Sequence, residues 1–299
     1  MLTTPLSSFE AWVSYMSQCG LPVMARTIHE IDSLRNNEDN ITGRDIARVL
    51  LHDPMMTLQV IRYLQDHRRK SQVTDVTTVE HAIMMFGTRA FFEAFTELTS
   101  IESHLADEPA ALAGVMRVLS RAFHAALYVH EWAVLRHDTD VEELTSAALL
   151  HDIAEILLWI TAPKLALEIH FRLRGNPLLR SAVAQTDVLG FPLLQLQLAL
   201  AKAWHLPPLL MELMDDRHAS HPRVRTVVLA VDLARHSANG WYDAALPDDF
   251  IGIADLLHIN LDEARQIVLR TTLQAAHAKG WYRYPPAATW LPLEPTRAG

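Results

Sequence analysis

The chain has 299 residues, half of them apolar, with a formal charge of −9, 10 glycines and a single cysteine. That much apolar material fills one large core or two smaller ones. The acidic balance repels a phosphate backbone and argues against a general nucleic-acid-binding surface, and the lone Cys19 excludes an internal disulfide, which fits a reducing cytoplasm.

Scarce glycine beside plentiful Ala, Leu and Met favours long helices, and nearly every segment reads at the helical period. Ser7 and Glu10 form a capping box ahead of the apolar face Phe9, Trp12, Val13 and Met16, and Gly20 ends that helix. Leu21-Pro22 is expected to open a second helix carrying Met24, Ile28 and Ile31. After a polar break at 36–40, Thr42 caps a third, with Asp45 beside its positive end. Asp53-Pro54 pairs an N-cap with proline at the first helical position; the helix it starts ends in the cationic run 67–70, read as a solvated helix end. Thr77 and Glu80 begin the next helix, which Gly87 closes in a left-handed conformation. A short helix is expected at 89–100.

A long helix follows from about Ala110 to Arg136, then a short one near Val141, then an apolar helix at 146–160. Proline and glycine signals place further helices at 163–175, 178–189, 192–204, 207–216 and 222–237. Two more cover 248–257 and a segment capped by Asp262 that ends near His277. Strand signals are nearly absent; 73–76 is too short to count. The tail, 284–299, is expected to be loosely ordered, yet Trp281, Tyr282, Tyr284 and Trp290 are expected to pack on the body or on a second subunit. The pairs Met55-Met56 and Met84-Met85 read as core filling in preference to a partner groove, while Phe91, Phe92 and Phe95 are left open between bridging two helical parts and covering a partner site. Residues 1–5 lack the order of a signal peptide. No apolar stretch is expected to reach the roughly 20 residues that span a bilayer, because the longest, 147–160, is interrupted by His151, Asp152 and Glu155.

Two ordered sets of residues carry a resemblance. The first is Leu21-Pro22, Asp53-Pro54, Thr78-Val79 and Phe86-Gly87. The second is Ala148-Leu149-Leu150-His151-Asp152-Ile153, then Trp204-His205-Leu206-Pro207, then Arg217-His218. Over residues 20–240 this order resembles the HDOD family, a relative of the HD phosphohydrolases. The resemblance implies an all-α fold with an N-terminal helical bundle, 1–109, packed on an HD-like helical bundle, 110–240. A helical extension, 241–283, and the Pro-rich tail, 284–299, follow. It also implies a bacterial signalling role, exercised in most members through protein contacts. With nearly all of the chain used by the resemblance and its extension, the expected partner is an unidentified signalling protein bound in trans; a homodimer is left open, and no membrane contact is expected.

An HD hydrolase holds a divalent metal (Mn, Fe, Ni, Zn or Mg) with a His, a His-Asp pair and a distant Asp, and the metal acidifies a bound water. The resemblance places His124 at the first position, His151 and Asp152 at the pair, and Asp232 at the distant one, with His218 as a weaker candidate. There are departures. Glu155 stands where two-metal relatives have a lysine that would stabilise phosphate charge, Leu193 where a further His is expected, and Arg217-His218 where there is a His-His pair. Three readings follow: a metal-free polar cluster, which is preferred; metal bound without turnover; and a single-metal phosphohydrolase acting on a nucleotide or cyclic dinucleotide. A nucleotide sensor using the vestigial cleft shares features of these.

Overall fold

A computed structural model describes residues 1–37, 40–67, 76–176 and 178–282. Among the described residues there are seventeen α-helices and no strand, as the all-α reading requires. The expectations for 68–70, 73–75, Tyr284, Trp290 and the rest of the tail lie outside the described residues.

The N-terminal helices are α1 (Phe9–Gln18), α2 (Ala25–Arg35), α3 (Gly43–Leu50), α4 (Pro54–Asp66), α5 (Val79–Phe86), α6 (Thr88–Ala94) and α7 (Ile101–His104). Their starts differ from expectation where a neighbour captures the backbone. Ser8, not Ser7, caps α1, accepting from Ala11 N at 3.2 Å. Residues 21–23 do not begin a helix. Val23 donates to Thr99 and accepts from Ile101 at 2.9 and 2.8 Å, forming a parallel bridge with Ser100. The same bridge removes Thr99 and Ser100 from the helix expected at 89–100, which stops at Ala94. Thr78, not Thr77, caps α5. Gly87 closes it with φ +86° and ψ 156°, a positive-φ extended conformation instead of the left-handed helical one expected. This is still a glycine's place.

Asp53 does more than start α4. It is wholly buried, and its carboxylate accepts from Met55 N and Met56 N below and from Met24 N and Thr27 Oγ1 across the bundle, at 2.9, 3.3, 2.8 and 2.7 Å. One side chain therefore satisfies orphan donors at the starts of two helices. Met55 and Met56 are core, but Met84 and Met85 are 68% and 50% exposed, so only the first pair fills space. Phe91 packs on Phe92 and Phe95, and Phe95 on Tyr63; all three phenylalanines are buried, so they do not form an exposed partner site.

The second half is built round α8 (Pro109–Leu135). It packs against α9 (Val141–Leu150), α10 (Ile153–Thr161), α11 (Pro163–Gly175), α15 (Pro222–His236) and α17 (Leu261–His277). Close approach of α8 and α10 requires Gly114, since a Cβ there would sit 2.5 Å from the Trp159 ring. The remaining helices are α12 (Ser181–Leu189), α13 (Leu193–Ala203), α14 (Pro208–Leu213) and α16 (Leu246–Leu257). Asn260 and Glu263, not Asp262, form the capping box of α17. The first helix crosses to this half: Trp204 Nε1 donates to Ser17 O at 3.1 Å, and α1 lies on α13. One continuous core runs from Trp12 to Tyr282.

By length and composition, two segments do reach a bilayer-spanning size, Pro109–Leu135 and Val141–Thr161, contrary to expectation. Their apolar windows are 72% and 89% buried against other helices, the signature of core helices.

Candidate functional site

The apolar helix expected at 146–160 is broken in the middle, between α9 and α10, at His151 and Asp152. Gln197 of α13 pins the break. Its Oε1 accepts from Ala154 N at 2.8 Å and its Nε2 donates to Leu150 O at 2.7 Å. A buried amide thus serves the end of one helix and the start of the next, groups that would otherwise lack partners.

The bend turns His151 and Asp152 toward α8 and α15. His151 Nε2 lies 2.9 Å from Asp216 Oδ1, and Nδ1 lies 3.4 Å from Asp152 Oδ1. Burial pulls the imidazole pKa down, but the two carboxylates outweigh it and push it up to about 9. The two carboxylates favour the imidazolium, the form in which both nitrogens donate.

From α8, Arg121 reaches the same pair. Its Nε and Nη2 donate to Asp152 Oδ2 at 3.1 and 2.5 Å, and Nη2 also donates to Glu155 Oε2 at 2.7 Å. From α15, Arg235 Nη2 approaches Asp152 Oδ1 at 3.4 Å and Nη1 approaches Asp232 Oδ1 at 3.3 Å. Burial alone would raise the Asp152 carboxyl, but Arg121, the hydrogen bond from His151 and Arg235 hold it well below the usual carboxylate range. Asp232 moves the other way: burial raises it, against the opposing charges of Arg235 and His236. His236 in turn bonds Asp249 at 2.7 Å. Arg121, Arg235 and His151 thus face Asp152, Glu155, Asp216 and Asp232 in one ion network.

Of the sequence candidates, His151, Asp152 and Asp232 belong to this network. His124 does not. It is fully buried, stacks on Tyr128 with centroids 4.5 Å apart, and neither ring nitrogen has a hydrogen-bond partner among the described residues. Burial drives its pKa down to about 3. The α8 residue that faces Asp152 is Arg121, one turn earlier. Arg121 and His124 are three apart and share a helix face, so the register of α8 against α10 decides between them. His218 is exposed and lies 3.4 Å from Asp215, which Arg217 clamps at 2.6 Å.

Sequence reasoning passed over Arg121, Arg235, Asp216 and Gln197. The available signal was Arg121 itself, a lone charge in the apolar run 118–129; a charge on a buried face demands a partner.

A divalent metal does not fit this donor set. Among the described residues no group of three or more His, Cys, Asp and Glu side chains is gathered to hold a metal ion. Asp152, the carboxylate of the His-Asp pair, is taken by the guanidinium groups of Arg121 and Arg235.

The sequence pattern of the HDOD domain matches residues 21–220. No curated protein matches the chain. Among solved structures, the response regulator MmoQ from Methylococcus capsulatus superposes with a TM-score of 0.63 at 17% identity, over 84% of this chain and 99% of its own. A virulence factor from Campylobacter jejuni superposes with a TM-score of 0.62 at 17% identity, over 90% and 100%. At that identity these likenesses speak to the fold alone.

Proposed function

The chain belongs to the HDOD domain family, and from that premise we propose that it is a non-catalytic module of bacterial signal transduction, working in the cytoplasm through contacts with a signalling protein in trans. The observation that carries this reading is the Arg121–Asp152 pair. A guanidinium bonded to the Asp of the His-Asp motif supplies fixed positive charge where a hydrolase would keep a metal and its water. Arg121 and Arg235 are already committed to Asp152, Glu155 and Asp232, so their charge is spent on carboxylates and not held for a phosphate. What is left is an all-helical scaffold whose polar centre is self-satisfied. The name of MmoQ, a response regulator, agrees with a signalling role.

The test is elemental analysis of full-length protein purified without chelator, alongside His151→Ala, with turnover assays on mononucleotides and cyclic dinucleotides in added Mn, Fe or Ni. The expected result is substoichiometric metal in both proteins and no hydrolysis. Near-stoichiometric metal lost in His151→Ala, or hydrolysis abolished by that change, overturns the reading.

A further inference from the structure

The end of the described chain returns to its beginning. After α17, the 3-10 turn Ala278–Gly280 delivers Trp281 and Tyr282 onto the turn between α3 and α4. Tyr282 is buried, and its hydroxyl donates to His52 O at 2.7 Å across 230 residues of sequence. Trp281 stacks on the His52 ring with centroids 4.2 Å apart and planes at 11°. Phe123 of α8 stacks on the same imidazole at 4.6 Å and 20°. Two near-parallel rings that close cannot share a face, so His52 is sandwiched. Arg26 of α2 caps the stack, 5.1 Å from the Trp281 ring centre, and its Nη1 donates to Gly280 O at 2.7 Å. Tyr282 also meets Phe123 at 5.7 Å.

These contacts join α2, the α3–α4 turn and α8 to a few residues of the C-terminal segment. The turn is the one that Asp53, next to His52, holds from the inside through Met24 and Thr27. The strap grips it from the outside. Phe123 lies two residues beyond Arg121, roughly 200° round the helix, so α8 carries the cleft arginine on one side and the strap on the other. The helix α17 has separate anchors: Tyr128 bonds Thr272 at 2.8 Å and Arg270 pairs with Glu131. The strap can therefore come away while α17 stays in place. Among the described residues, that breaks the His52 stack, the Arg26–Trp281 contact and two hydrogen bonds and draws Tyr282 out of the core, a sub-global opening confined to this side of the bundle.

We propose that residues 278–282 are a releasable latch. Docked, it clamps α2 and the α3–α4 turn against α8; released, it frees the N-terminal helices to move on the bundle. This goes beyond the functional reading above and does not depend on what the cleft binds, so metal analysis and the latch experiment fail separately.

The experiment is hydrogen-exchange mass spectrometry of the full-length chain, comparing the starting protein with Trp281→Ala. The expected result is exchange about tenfold faster in 25–35 and 43–66, with α13 and α15 unchanged. A synthetic peptide of residues 276–282, added in excess to the variant, is expected to restore the lost protection. Unchanged exchange in 25–66 overturns the proposal. So does uniform acceleration over the whole chain, which makes the strap ordinary core. Should Trp281→Ala fail to fold, Arg26→Gln decides, because it removes the Gly280 bond and the cation but keeps every ring. Regional acceleration supports the latch, and an unchanged pattern overturns it.

Discussion

Arg121 meets Asp152 with two donors on one oxygen, Nε at 3.1 Å and Nη2 at 2.5 Å from Oδ2, and the second nitrogen also serves Glu155. The arginine side chain is 13% exposed and the aspartate 9%. Removing one partner leaves the other charge stranded, which costs more than the pair itself is worth. Arg121→Met is therefore expected to lower stability by about 3 kcal/mol in chemical denaturation. Adding Asp152→Asn is expected to recover at least half of that loss. A double variant whose loss equals the sum of the two single losses would show that the residues are not coupled.

His124 gives a prediction of opposite sign. Its ring is buried with neither nitrogen satisfied among the described residues, so His124→Leu is expected to stabilise by about 1 kcal/mol at pH 7. The acid limb tests the cause. Burial lowers the folded pKa to about 3, below the ordinary imidazole value of about 6.5. Between those values the unfolded chain binds the extra proton. The proton-linked penalty for keeping this ring neutral is thus absent above about pH 6.5 and grows as pH drops toward 3, by up to about 1.4 kcal/mol per unit. The leucine variant is expected to lose that part of the slope in denaturation midpoints taken from pH 7 to 4. An unchanged slope would assign the acid sensitivity elsewhere.

Asp53 is the corresponding anchor of the N-terminal half. Asp53→Ala removes an N-cap and strips acceptors from buried donors in two segments. A loss of about 3 kcal/mol is expected. Exchange should quicken together at the starts of α2 and α4; quickening at α4 alone would mean the link to Met24 and Thr27 carries nothing.

Gly114 tests the crossing of α8 and α10. An added methyl would lie 2.5 Å from one Trp159 carbon and 2.6 Å from two more. Alanine is the better helix former by about 1 kcal/mol, so propensity and packing predict opposite signs. Packing is expected to win, with Gly114→Ala destabilising by about 2 kcal/mol; a gain in melting temperature would show that the indole has room to move.

The period of the apolar residues determined that this chain is all-helical, because burying one face needs residues three and four apart whatever the partner is. Asp53-Pro54 and the prolines that open α11 and α15 were readable for a similar reason: a cap or a fixed φ acts within one turn of chain. Family membership was also legible, since an ordered set of local signals survives without knowledge of the contacts. Tertiary structure decided what depended on a distant partner. The helix expected to open at Leu21-Pro22 starts only at Ala25, because Thr99 and Ile101 take up the backbone groups of Val23. The apolar run through His151 broke because Gln197, far along the chain, paired with both sides of the break. Arg121 took the place expected of His124 because helix register sets which of two residues on one face reaches Asp152. Periodicity gives a side chain its face; only the packed neighbour gives it a partner.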